Sequence, residues 1–138
     1  MSINRGILVI THGHFGVEIV KSAEMIMGPQ SNVTALALNP GESVEGLRQL
    51  GTDSIKKFTD QGKETIVLTD LYGGSPSNTG LYLLSKGAKV VMTGLNLPML
   101  IELLQNYESI EDWDELVDDI SKAAVDGVRN MNINFIKK

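Results

Sequence analysis

Apolar positions along the chain follow two rhythms. Short β-branched runs occur at Ile7 to Ile10, Val33 to Leu38, Thr65 to Thr69 and Lys89 to Thr93, and each predicts a strand. Between them, apolar residues recur at helical spacing. A first helix is predicted from Phe15 to Met27, where Gly28-Pro29 supplies a C-cap followed by a residue that cannot continue it. A second carries Val44, Leu47, Leu50, Ile55 and Phe58 and ends near Gly62. A third has Ser75 as its expected N-cap, Pro76 at its first position and Gly87 just past its end. A fourth follows Asn96, with Pro98 in its first turn. A fifth places Trp113, Leu116, Val117, Ile120 and Ala124 on one face, with Gly127 to end it.

Strands alternating with helices predict an α/β fold: an open parallel sheet of order 2-1-3-4, with helices on both faces. The tail changes rhythm. Met131, Ile133 and Phe135 alternate with Asn130, Asn132 and Asn134, a period of two that predicts a C-terminal antiparallel strand. Such an edge strand needs a partner, and a second subunit would supply one. No repeat, low-complexity stretch or linker divides residues 1–138, so one domain is expected.

Composition narrows the function classes. A chain of 138 residues is long enough to bury a core without staples. Cys is absent, which removes disulfides, thiolate nucleophiles and Cys-based zinc sites, and suits the cytoplasm. Twelve basic against 17 acidic residues give a net charge of −5, which disfavours nucleic acid and anionic membranes. No apolar run approaches the roughly 20 residues of a membrane span. Met1-Ser2-Ile3-Asn4-Arg5 leads straight into a strand and does not read as a signal peptide. Attachment to a membrane is expected only through another protein.

In an open α/β sheet, ligands bind beyond the carboxyl ends of the strands, where strand order reverses. That point lies between strands one and three. Strand one is expected to end at Thr11, before His12-Gly13-His14. Strand three is expected to end at Thr69, before Asp70-Leu71-Tyr72-Gly73-Gly74-Ser75-Pro76. Adjacent strands lie about 4.8 Å apart, so His12 and Asp70 are within reach of each other. A carboxylate that accepts one imidazole N–H fixes the tautomer and leaves the other nitrogen as a nucleophile. His12 is the candidate nucleophile and Asp70 its orienter. Gly73 and Gly74 free backbone N–H groups to crowd around an anion, the next helix offers its positive end, and Ser75 adds a hydroxyl. The ensemble suits a phosphoryl group. Neither loop contains Lys or Arg.

Each residue also has a plainer role. Asp70 caps turns well, paired glycines permit tight ones, and Ser75 serves as an N-cap whatever else it does. His14 reads as a surface residue or a gate. Asn96 and Pro98 read equally as cap and first-turn proline or as a wall of the site. Met25, Met27, Met92 and Met99 read as core. Glu108, Glu111, Asp112, Asp114, Glu115, Asp118 and Asp119 read as a solvated helix face.

Other chemistries fit less well. Gly73-Gly74-Ser75-Pro76-Ser77 is not the Gly-x-Ser-x-Gly of a Ser hydrolase, and Pro76 removes an oxyanion donor. A receiver-like domain phosphorylated on Asp70 would need acidic residues after strand one for Mg²⁺, where Thr11-His12 stands. The nucleotide-binding glycine patterns are missing. A metal on His12, His14 and Asp70 would occupy the nucleophile's lone pair. No metal or cofactor is expected.

Four stretches together resemble the EIIA component of mannose-family sugar phosphotransferase systems. They are Ile10-Thr11-His12-Gly13, Ala23-Glu24-Met25, Asp70 through Pro76 with Asn78, and Gly94-Leu95-Asn96-Leu97-Pro98-Met99-Leu100. Their order and spacing cover nearly the whole chain. The resemblance implies a phosphoryl carrier: His12 receives the group from HPr, with Asp70 beside it and Gly73, Gly74 and Ser75 on the phosphoryl group, then yields it to a His on EIIB. EIIC and EIID membrane components lie further on. It also implies a homodimer with an exchanged C-terminal strand. Thr11, His14, Asn96, Pro98 and Met99 are candidate pocket or partner contacts. Leu71 departs from relatives that carry a hydroxyl residue there. No EIIB-like region follows, so that partner is expected as a separate chain. The Gly-Gly-Ser-Pro segment favours the sugar system over the phosphoryl-donor subunit of a dihydroxyacetone kinase, which shares the fold.

Overall fold

The computed structural model describes residues 4–137. Met1, Ser2 and Ile3, read above as leading into the first strand, lie outside the described residues. Four parallel strands, β1 (Arg5–His12), β2 (Val33–Leu38), β3 (Glu64–Thr69) and β4 (Ala88–Met92), form one sheet in the order β2-β1-β3-β4, as expected. The helices are α1 (Phe15–Met27), α2 (Val44–Asp60), α3 (Ser75–Leu84), α4 (Leu97–Asn106), α5 (Trp113–Asp126) and the short α6 (Ile133–Ile136).

Alternation along the central strands creates two cores. Ile7 and Val9 of β1 join Ile66 and Leu68 of β3 beneath α1, α4 and α5, where Leu100, Leu103, Leu116 and Ile120 pack. Leu8 and Ile10 face the other way with Val67, against Leu47 and Ile55 of α2 and Leu83 of α3. Strands one and three are covered on both faces, which is why they read as continuous apolar runs. Arg5 is fully buried at the opposite end of β1 from His12. Its guanidinium donates to the carbonyls of Tyr107, Ile110 and Glu111 at 2.9, 2.6 and 2.7 Å, and lies 4.2 Å from the centre of the Trp113 ring. It ties β1 to the α4–α5 connection.

Helix ends follow the expected chemistry in most places. Ser43, Asn96 and Asp112 accept the N–H groups of Gly46, Met99 and Glu115 and cap α2, α4 and α5. Three local expectations are corrected. Gly74, with φ 88°, is the N-cap of α3, and Ser75 is its first helical residue, so Pro76 stands second. Met25 is exposed on the outer face of α1, whereas Met99 is in the core. The tail is not a strand: Asn132 accepts the N–H of Asn134 and caps the single helical turn of α6. A strand needs ladder partners, and the tail of a single chain meets none here, so its backbone closes on itself.

Candidate functional site at the carboxyl ends of β1 and β3

Strand β1 runs one residue further than expected, so His12 is its last residue and sits on the sheet itself. Ile10 pairs with Thr69, which sets the end of β3 beside it. Asp70 follows at once. One carboxylate oxygen, Oδ2, accepts two hydrogen bonds from the same residue: the backbone N–H of His12 at 2.9 Å and its ring Nδ1 at 2.8 Å. The other oxygen, Oδ1, accepts the N–H of Leu71 at 3.0 Å, so Asp70 holds His12 and caps its own turn at once. The carboxylate is largely covered and the imidazole half exposed, with side-chain exposures of 11% and 51%.

Burial alone would push the Asp70 carboxyl up. The hydrogen bonds from the His12 backbone and ring, the charge of a protonated His12 and the Leu71 N–H together outweigh it and hold the group below the usual carboxylate range. Asp70 is therefore ionised near neutral pH and accepts from Nδ1–H. The lone pair of a neutral His12 then resides on Nε2.

The Cε1–Nε2 side of the ring lies beside Gly74. A Cβ built on Gly74 would lie 3.3 Å from His12 Cε1 and 3.5 Å from Nε2, so the absent side chain leaves this side of the ring open. Gly73 and Gly74 both have positive φ, 85° and 88°, and turn the chain from Asp70 into α3. Intrahelical bonding starts with the N–H of Asn78 to Gly74. The N–H groups of Ser75 and Ser77 precede it and have no intrahelical acceptor, and Pro76 between them has no N–H. Ser75 is half-buried at this positive helix end.

The remaining candidates divide. Thr11 is fully buried and directs its hydroxyl into the β1–α1 turn, so it does not face a partner. His14 is exposed at the N-cap of α1 without a capping side-chain bond. Asn96 caps α4 through the Met99 N–H and donates to the Ala124 carbonyl, and Pro98 packs against Gly127. Asn96 and Met99 line a cleft of about 560 Å³ beside α5 that contains neither His12 nor Asp70. A different cleft, about 450 Å³, is walled by His12, Gly13, Leu38, Asn39 and Pro40. The last three were not singled out from sequence. The order β2-β1 and the Asn39-Pro40-Gly41 turn are the signals that point to them.

Comparisons with known proteins bear on the family and the fold. The family described as "PTS system fructose IIA component" matches residues 6–121. The mannose-specific EIIAB component of Escherichia coli K12 is 32% identical over 133 residues, a span of 96% of this chain and 41% of that protein, so this chain spans well under half of its length. The sorbose-specific EIIA component of Lacticaseibacillus casei is 34% identical over 107 residues, 75% of each chain. The crystal structure of phosphotransferase system component EIIA from Streptococcus agalactiae has a TM-score of 0.82 at 33% identity and covers 91% of this chain and 95% of its own. From the strand that carries His12 through to α5, the chain belongs to the EIIA family of mannose-type sugar phosphotransferase systems.

Proposed function

We propose that this chain is a phosphoryl carrier that takes the group from phospho-HPr on Nε2 of His12 and yields it to a His of an EIIB component, coupled through EIIC and EIID to sugar uptake. The observation that carries the reading is the double grip of Asp70 Oδ2 on the backbone and ring of His12. In the forward step the Nε2 lone pair forms a bond to phosphorus, and the bond from phosphorus to the donor's imidazole nitrogen breaks. The donor nitrogen keeps that electron pair. Positive charge develops on the His12 ring, which retains its Nδ1 proton, and Asp70 offsets it across 2.8 Å. The phosphoryl oxygens meet the Gly73-Gly74 backbone, the N-terminus of α3 and the Ser75 hydroxyl. With no Lys or Arg in either loop, the hold is weak enough for the group to leave again.

The proposal treats residues 1–138 as one domain, in the cytoplasm, working as a homodimer. Val125, Val128, Met131, Ile133, Phe135 and Ile136 are all exposed in the single chain, an apolar strip suited to a second copy.

The test uses phosphoenolpyruvate, enzyme I and HPr, with intact mass as readout for wild type, His12→Ala and His14→Ala. One acid-labile, base-stable phosphoryl group, lost only in His12→Ala, is the expected result. Loss only in His14→Ala would move the nucleophile. An unlabelled wild type beside a labelled control carrier would end the reading.

A further inference from the structure

Thr11 is the residue immediately before the reactive ring, and nothing of it is exposed. Its Oγ1 accepts the N–H of Gly16 at 2.8 Å and donates to the carbonyl of Gly13 at 3.3 Å. Gly16 is the second residue of α1, and its N–H is one of those a helix start leaves without an internal acceptor. The N-cap residue, His14, offers no side-chain acceptor. The Thr11 hydroxyl fills that role from three residues upstream. The fit is close: a Cβ on Gly16 would lie 2.8 Å from Val9 Cγ1 and 3.0 Å from both Thr11 Cγ2 and Oγ1. The helix start therefore rests directly on the end of β1, and only His12-Gly13-His14-Phe15 lies between the two anchors.

We propose that Thr11 is a positioning residue for His12. Its hydroxyl fixes the turn after β1 from the inside while Asp70 holds the His12 peptide and ring from the side. Together they leave the imidazole one orientation, with Nδ1–H on Asp70 and Nε2 before Gly74. The effect on rate rests on the carrier reading; the effect on the ring does not.

Thr11→Val removes both hydrogen bonds and keeps the shape, whereas Thr11→Ser keeps the oxygen. In Thr11→Val, the ¹⁵N signals of the His12 ring are expected to move from one fixed tautomer toward a mixture. Single-turnover transfer from saturating phospho-HPr is expected to slow roughly tenfold or more, the scale of a small misplacement of a reacting group, with the half-saturating donor concentration unchanged. Thr11→Ser is expected to restore the wild-type ring signals and most of the rate. Should Thr11→Val fail to fold, Thr11→Ala deletes the same oxygen without added bulk and takes its place. Wild-type ring signals and rate in a folded but less stable Thr11→Val would overturn the proposal, as would equal impairment of the Val and Ser variants. A wild type that accepts no phosphoryl group would fail the carrier reading alone, since the ring signals still decide the role of Thr11.

Discussion

Asp70 makes one oxygen serve two donors, and this is what separates its role from that of an ordinary turn aspartate. Asp70→Asn can still accept the backbone N–H, but its amide no longer guarantees an acceptor for Nδ1–H, and the proton is free to settle on Nε2. Phosphorylation of His12 is expected to fall by about 10²- to 10⁴-fold, the range for loss of an orienting carboxylate, with the far-ultraviolet dichroism intact. A wild-type rate in that variant would remove Asp70 from the reaction. The same carboxylate gives a pH signature. Its folded value lies below the ordinary one, so its contribution to stability is complete above the unfolded carboxyl pKa of about 4 and disappears as pH falls through the folded value. The urea midpoint of wild type is expected to exceed that of Asp70→Asn above about pH 4, and the two are expected to converge on further acidification. The pairing of His12 with Asp70 was legible because both stand at the ends of adjacent strands, within reach of each other. The hydrogen bonding of Thr11 was not, because a buried hydroxyl bond to a backbone five residues on leaves no mark in composition or spacing.

The turn into α3 illustrates what short motifs conceal. Ser-Pro reads as cap and first residue, yet the helix begins one residue earlier, because Gly74 at φ 88° and ψ 171° takes a conformation that favours glycine. Gly74→Ala combines backbone strain with a methyl group before Nε2. It is expected to cost about 1–3 kcal/mol in denaturant unfolding. It should slow phosphorylation further than the unfolded fraction explains, which a single-turnover assay on the folded protein would register. Arg5 makes the opposite case. In sequence it is a charge before an apolar run, whereas in the fold it is a buried fastening for three carbonyls. Arg5→Met leaves those carbonyls short of partners and is expected to cost roughly 3 kcal/mol or more. Seven residue steps along the strand, roughly 23 Å, separate it from His12. A melting temperature that drops while transfer per folded molecule stays constant is the expected pair of results. The helix punctuation at Gly28-Pro29, Asn96-Pro98 and Gly127 was readable because each acts through local backbone chemistry.

Across the whole molecule, strand order was accessible because short strands alternating with helices leave few parallel topologies. The tail was not, since the alternation of Met131, Ile133 and Phe135 specifies a strand only where a partner edge is present. Light scattering is expected to give the mass of two chains for the full protein and of one after removal of residues 130–138, and a monomeric full-length protein would refute the dimer. The site also depends on an agreement between distant segments. His12 and Asp70 are 58 positions apart and meet only because β1 and β3 lie in one register, with Ile10 against Thr69. A slip of one residue would turn every side chain of the shifted strand to the opposite face. On the carrier reading, charging of His12 is thus a report on folding fidelity: a chain with its central strands misaligned or parted falls silent in the proposed relay, instead of accepting a phosphoryl group that it would spill into water.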